Sequence, residues 1–154
     1  MILTVTVNAA VDKTLTVANL QLGHRHRAQQ GLVMAGGKGV NVARALKRLG
    51  EPVIATGLVG GHNGARILDE MTAEGILNDF VRIRGESRTS TVVVDPTSSV
   101  QTEIYEYGPE IAEDELQPYG RQARREKPDG KARQIGAHFV SSWASRPADR
   151  AVKA

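Results

Sequence analysis

Six residues carry the chemistry open to this sequence, and they fall in three places: Asp12 after the first apolar run, Gly36, Gly37, Lys38 and Asn41 at the head of an amphipathic segment, and Arg88 ahead of a β-branched run. The densest cluster is Gly36-Gly37-Lys38-Gly39-Val40-Asn41. Glycines admit unusual backbone angles and the close approach of a ligand. N–H groups at a helix start attract anions such as phosphates. Lys38 would add a mobile positive charge, and Asn41, in the first turn, would hydrogen-bond a hydroxyl or an oxyanion. The spacing is neither G-x-x-x-x-G-K-[ST] nor G-x-G-x-x-G, and a tight strand-to-helix turn would use the same glycines. Asp12 follows a strand across a short turn, where open α/β sheets bind their ligands. A carboxylate there either accepts bonds from sugar hydroxyls or stabilises the turn. The planar fork of Arg88 suits a phosphate, although an arginine there also fits a plain surface role. His24 and His26 are two apart with no further ligands grouped near them, so exposed loop histidines are expected and no metal site. No G-x-S-x-G elbow occurs.

These residues need elements to hold them. Ile2–Val7 is apolar and β-branched and reads as a buried strand. Asn8 to Asp12 reads as a turn, Thr14–Val17 as a short strand, and Leu32–Met34 as another. A helix follows the glycine cluster, with Val42, Ala45, Leu46 and Leu49 on one face, Lys47 and Arg48 in its last turn and Gly50 as its stop. Val53–Val59 is a strand, Ile67, Leu68, Met71 and Ile76 mark a second helix ended by Gly75, and Phe80–Ile83 is a strand. This alternation predicts a parallel α/β sheet with right-handed crossovers. Thr89–Asp95 and Thr102–Tyr107, separated by Pro96 to Ser99, read as a β-hairpin. A helix is expected to begin at Glu113–Gln117.

Composition bounds the rest. The chain has 154 residues, 40% of them apolar and 4% aromatic, which fits one domain or a piece of a larger one. The absence of cysteine excludes disulfides, thiolate nucleophiles and cysteine-ligated metals. No apolar run is long enough to span a membrane. The first residues lack the basic stretch of a signal peptide, so a cytoplasmic location is expected. Residues 1–117 hold 11 Lys and Arg against 14 Asp and Glu, whereas residues 118–154 hold 9 against 3. That basic segment, poor in core-forming residues, reads as a solvated, disordered tail. Nucleic-acid binding is its functional alternative.

Three ordered motifs together resemble the PfkB (ribokinase-like) carbohydrate kinases. They are Asn8-Ala9-Ala10-Val11-Asp12, then Gly36 to Arg44 as GGKGVNVAR, then Gly57 to Gly64 as GLVGGHNG. The most similar branch holds the 1-phosphofructokinases and tagatose-6-phosphate kinases, whose opening T-L-N-P-A-x-D has Ala9 here in place of proline. The resemblance spans residues 1–117 and includes Gly108-Pro109-Glu110-Ile111, similar to that branch's P-G-P-x-I. It implies a ribokinase-like parallel sheet with flanking helices and a small β-lid, truncated relative to the family. The lid would be built from residues 12–34 and 89–107 and would pair between two subunits. Asp12 would hold sugar hydroxyls. Gly36, Gly37, Lys38 and Asn41 would line the sugar-phosphate site, and Arg88 would bind the existing phosphate.

The implied reaction is ATP-dependent phosphorylation of a sugar phosphate, fructose 1-phosphate to fructose 1,6-bisphosphate, with Mg2+. Family members are much longer, and their second half carries a G-A-G-D-type motif with the catalytic aspartate and the ATP pocket. No G-x-G-D occurs in this chain, so no catalytic residue is assigned, and a truncated or frameshifted gene product, inactive alone and prone to aggregate, is expected. A non-catalytic sugar-phosphate-binding or dimerising remnant is the alternative.

Overall fold

The computed structural model describes residues 1–117 and the short strand Arg133–Ile135. In chain order the elements are β1 (Ile2–Thr6), β2 (Ala10–Thr16), β3 (Gln30–Gly36), α1 (Lys38–Arg48), β4 (Val53–Gly60), α2 (Gly61–Ala73), β5 (Leu77–Ile83), β6 (Arg88–Asp95), β7 (Val100–Tyr105) and β8 (Arg133–Ile135). Residues 113–117 are helical, as expected. Apart from β8, the basic segment 118–154 lies outside the described residues.

Two four-stranded sheets result. The first has the order β5-β4-β1-β8, every pair parallel, and is the α/β sheet that the alternation predicts. The second has the order β3-β2-β6-β7. Its β2–β3 and β6–β7 pairs are antiparallel, and the two hairpins join through a parallel β2–β6 pair that sets Ala10 beside Arg88. β4 is buried along nearly its whole length, as a strand with partners on both sides should be.

One apolar cluster joins both sheets and both helices. Val53, Ala55 and Val59 of β4 meet Val40 and Ala43 of α1, Ile67 and Met71 of α2, and Val11 and Ala35 of the second sheet. The buried face of α1 differs from the one read from the sequence. It consists of Gly39, Val40, Ala43 and Arg44, whereas Ala45 is exposed and Leu49 is 76% exposed at the helix end. The cause is Gly39. A Cβ there would meet the Val5 carbonyl oxygen at 2.5 Å, so the bare Cα lets α1 lie against β1 and fixes its rotation.

Other boundaries shift as well. The turn after β1 is confined to residues 7–9, so Asp12 lies inside β2 and not in a turn. Leu32–Met34 and Phe80–Ile83 are the centre and end of longer strands, and the outer hairpin strand is Val100–Tyr105. Pairing partners extend these strands beyond what local apolar content marks. Ile76, grouped with the second helix by its period, lies past Gly75, where its N–H returns to the Met71 carbonyl.

Candidate functional site

The glycine cluster links the end of β3 to the start of α1. Gly37 is the N-cap at φ 111°, a left-handed conformation that disfavours any side chain, and a Cβ there would lie 2.6 Å from the Thr6 methyl. The first turn of α1 has neither a side-chain cap nor an acidic residue, and Lys38 is exposed at its head. α2 is different. The Glu86 carboxylate accepts the N–H groups of His62 (3.1 Å) and Asn63 (2.6 Å), so the start of α2 is closed from within the chain. Asn63 Nδ2 donates to the Ser87 carbonyl and Ser87 Oγ accepts from Gly60 N. Together these bonds tie the loop that precedes Arg88 to α2.

Asp12 and Gly36 meet across the β2–β3 pair. A Cβ built on Gly36 would lie 2.0 Å from Asp12 Oδ2, so the carboxylate occupies the space a side chain would need. Burial pushes the Asp12 carboxyl above its ordinary value, against the downward pull of Arg88 and Arg44. Arg88 opens β6 with its guanidinium 5.9 Å from the centre of the Tyr105 ring, within cation–π range. Its buried Nε finds no partner among the described residues, nor do Thr6 Oγ1 and Asn8 Oδ1. The Gly108-Pro109 segment packs here too: a Cβ on Gly108 would meet Asn8 Oδ1, and one on Gly85 would meet Pro109, both at 2.4 Å.

The structure therefore brings Asp12, Gly36 and Arg88 together and sets Gly37 against the end of β1. Asn41 joins through an intermediary that sequence reasoning missed. Arg44 donates to Asn41 Oδ1 at 2.9 Å and to both carboxylate oxygens of Glu74 at the far end of α2. Its sequence signals are its place as the last residue of GGKGVNVAR and a charge three positions after Asn41 on a helix face otherwise made of Gly39, Val40 and Ala43. Tyr105, Glu86 and Asn8 were also missed, because their roles depend on residues distant in the chain. Of the two loop histidines, His24 is exposed and His26 is half-buried against Gln21, whose backbone N–H it accepts. An open groove on α2, lined by His62, Ala65, Arg66, Asp69, Glu70 and Ala73, includes none of the six residues singled out by sequence.

The parallel α/β sheet and the second sheet thus meet at the glycine cluster, with the Asp12 carboxylate within the field of Arg88. The chain belongs to the pfkB family of carbohydrate kinases, whose pattern it matches over residues 4–142. That match reaches beyond residue 117, where the sequence resemblance was placed. Among solved structures, a Thermotoga maritima protein described as a possible 1-phosphofructokinase is 32% identical, with a TM-score of 0.76 over 81% of this chain and 41% of that one. Phosphofructokinase-2 from Escherichia coli, in complex with fructose-6-phosphate, superposes with a TM-score of 0.77 over 80% of this chain and 41% of that one, at 24% identity. The same enzyme in a tetrameric inhibited form gives 0.75. The chain thus spans about 40% of the length of these structures, and the shared fold is the ribokinase-like one.

Proposed function

We propose that this chain forms the sugar-phosphate-binding part of a kinase acting on a phosphorylated ketohexose, in the manner of a 1-phosphofructokinase converting fructose 1-phosphate to fructose 1,6-bisphosphate. The observation that carries this reading is the seating of Asp12 on Gly36 within the field of Arg88. Asp12 accepts from sugar hydroxyls, and Arg88 supplies a forked donor for the phosphate already on the substrate. Gly37 and Lys38, at the uncapped start of α1, add N–H groups and positive charge for the same anion. Asn41 contributes from the first turn. The second sheet covers the sugar and excludes water.

ATP with Mg2+ would supply the phosphoryl group. Among the described residues no cluster of three or more His, Cys, Asp or Glu is placed to hold a metal ion. By the same resemblance we expect this chain alone to be inactive, and its setting to be cytoplasmic. No helix among the described residues is long and apolar enough to cross a membrane.

Titration calorimetry on the chain tests the reading. Fructose 1-phosphate, fructose 6-phosphate and tagatose 6-phosphate are compared with inorganic phosphate. A ketose phosphate binding more tightly than inorganic phosphate is expected, and equal or absent binding overturns the proposal.

A second reading is a binding or dimerising remnant. Edge strand β7 favours it, since all six of its residues are exposed, with Val100 at 54% and Ile104 at 58%. Pairing of two such lids would cover that strand. Ketose-phosphate binding without ADP release, in a dimer measured by light scattering, would support it. Nucleic-acid binding through residues 118–154 falls, apart from β8, on residues outside those described.

A further inference from the structure

Arg44 is only 8% exposed. A guanidinium is held at such depth only where its donors are paired, and here all three nitrogens are used. Nε donates to Glu74 Oε2 at 2.6 Å, and Nη2 donates to Glu74 Oε1 at 2.8 Å and to the Ala35 carbonyl at 3.0 Å. Nη1 donates to Asn41 Oδ1 at 2.9 Å, and Glu70 stands 4.0 Å from Nη2. The bidentate bond to Glu74 raises the Arg44 pKa and lowers that of Glu74, so both remain charged. One side chain thus ties α1 to the end of α2 and to the strand residue that precedes Gly36.

The chemistry of this hub fixes the orientation of Asn41. A guanidinium has donors and no acceptor. The carboxamide atom facing it must therefore be oxygen, and the assignment of oxygen and nitrogen is settled by the partner. The amide nitrogen, with two N–H donors, is the end turned away from Arg44, on an exposed residue in the first turn of α1.

We infer that Arg44 and Glu74 are positioning residues that hold the Asn41 oxygen and leave its amide nitrogen turned outward as a donor, so that position 41 recognises an oxygen acceptor of the ligand, such as a phosphate or ketose oxygen. This inference rests on the sugar-phosphate reading for its ligand, but not for its geometry. Both act through Asn41 and not by contact with the ligand.

The test uses the full chain with asparagine side-chain nitrogens labelled. The sequence holds five asparagines, so five amide pairs are resolved by NMR and Asn41 is identified by its loss in Asn41→Asp. In ligand-free protein, Glu74→Gln is expected to shift the Asn41 pair and leave that of Asn19, in a distant loop, in place. With fructose 1-phosphate as probe, Glu74→Gln is expected to weaken binding about tenfold. Asn41→Asp keeps an oxygen for Arg44 while removing both donors. It is expected to remain folded and to weaken binding at least as much, and adding Glu74→Gln to it should cost little more. An unmoved Asn41 pair in Glu74→Gln, even with a lowered Tm, overturns the clamp. Wild-type affinity in Asn41→Asp overturns the donor role, and this variant decides the matter if Glu74→Gln does not fold. If the wild type binds no ketose phosphate, the proposed function fails, while the response of the Asn41 pair still decides the clamp.

Discussion

The carboxylate of Asp12 rests on the bare Cα of Gly36, the neighbour that a Cβ would bring to 2.0 Å of Oδ2. Gly36→Ala should displace a short side chain and leave the backbone in place. We expect a stability loss of about 1 kcal/mol, at the low end of overpacking costs, but a fall in ketose-phosphate affinity of about tenfold or more as the carboxylate swings away. Gly57→Ala is the control, because its Cβ would sit 1.9 Å from the Thr6 carbonyl oxygen, in backbone that cannot yield. That variant should lose about 3 kcal/mol or fail to fold. Urea unfolding and calorimetry on both variants separate the two effects.

Asp12 itself trades stability for binding. Burial raises its folded-state pKa despite Arg88 and Arg44. A raised carboxyl contributes stability below its unfolded pKa and loses it as pH rises through the folded value. At neutral pH the charge therefore works against folding, and Asp12→Asn should raise Tm. The same change should lower ketose-phosphate affinity by about tenfold to a hundredfold, the range for hydrogen bonds to a charged group. Thermal melts and calorimetry at neutral pH check both signs, and an Asn variant that is less stable would contradict the first.

Asp95 behaves in the opposite sense. Burial pushes its carboxyl up, but the backbone N–H groups of Thr97, Leu20 and Asn19 and the Ser98 hydroxyl outweigh that and bring it down from 3.8 to about 2. Its contribution is fully present above the unfolded pKa and is lost as pH falls through the folded one. Stability should therefore decline between about pH 4 and about pH 2, and Asp95→Asn should flatten that decline. Because Asp95 holds Asn19 and Leu20 in the loop after β2, the loss should appear first in that loop, as faster amide exchange at Asn19 and Leu20 in the variant.

Much of this architecture was legible because its signals are local. The alternation of apolar strands with glycine-stopped helices announced the parallel sheet, and Gly36-Gly37-Lys38-Gly39 marked the start of α1. What was not legible depended on partners far along the chain. The apolar positions of α1 suggested a face through Ala45 and Leu49, but contact of Gly39 with Val5 decides the rotation. Asp12 looked like a turn residue because its strand is completed by β3 and β6, which local composition does not show. Arg44 and Glu74 are 30 positions apart, and nothing in either segment alone indicates that they meet. Glu86 seals α2 from 23 residues downstream of Asn63 for the same reason.

The parallel pairing of β2 with β6 sets Ala10 beside Arg88. Two hairpins that could each close on their own become one cover only when that long loop is drawn together. Bringing distant segments into register costs loop entropy before any contact repays it. The strands between them, β4 and β5, with α1 and α2, do that work by forming a framework that delivers β6 to β2. Loop entropy therefore favours assembly from base to cover. In that order Asp12 and Arg88 would come within each other's field last, and a chain that is helical and largely paired would still lack the place where a ligand would sit.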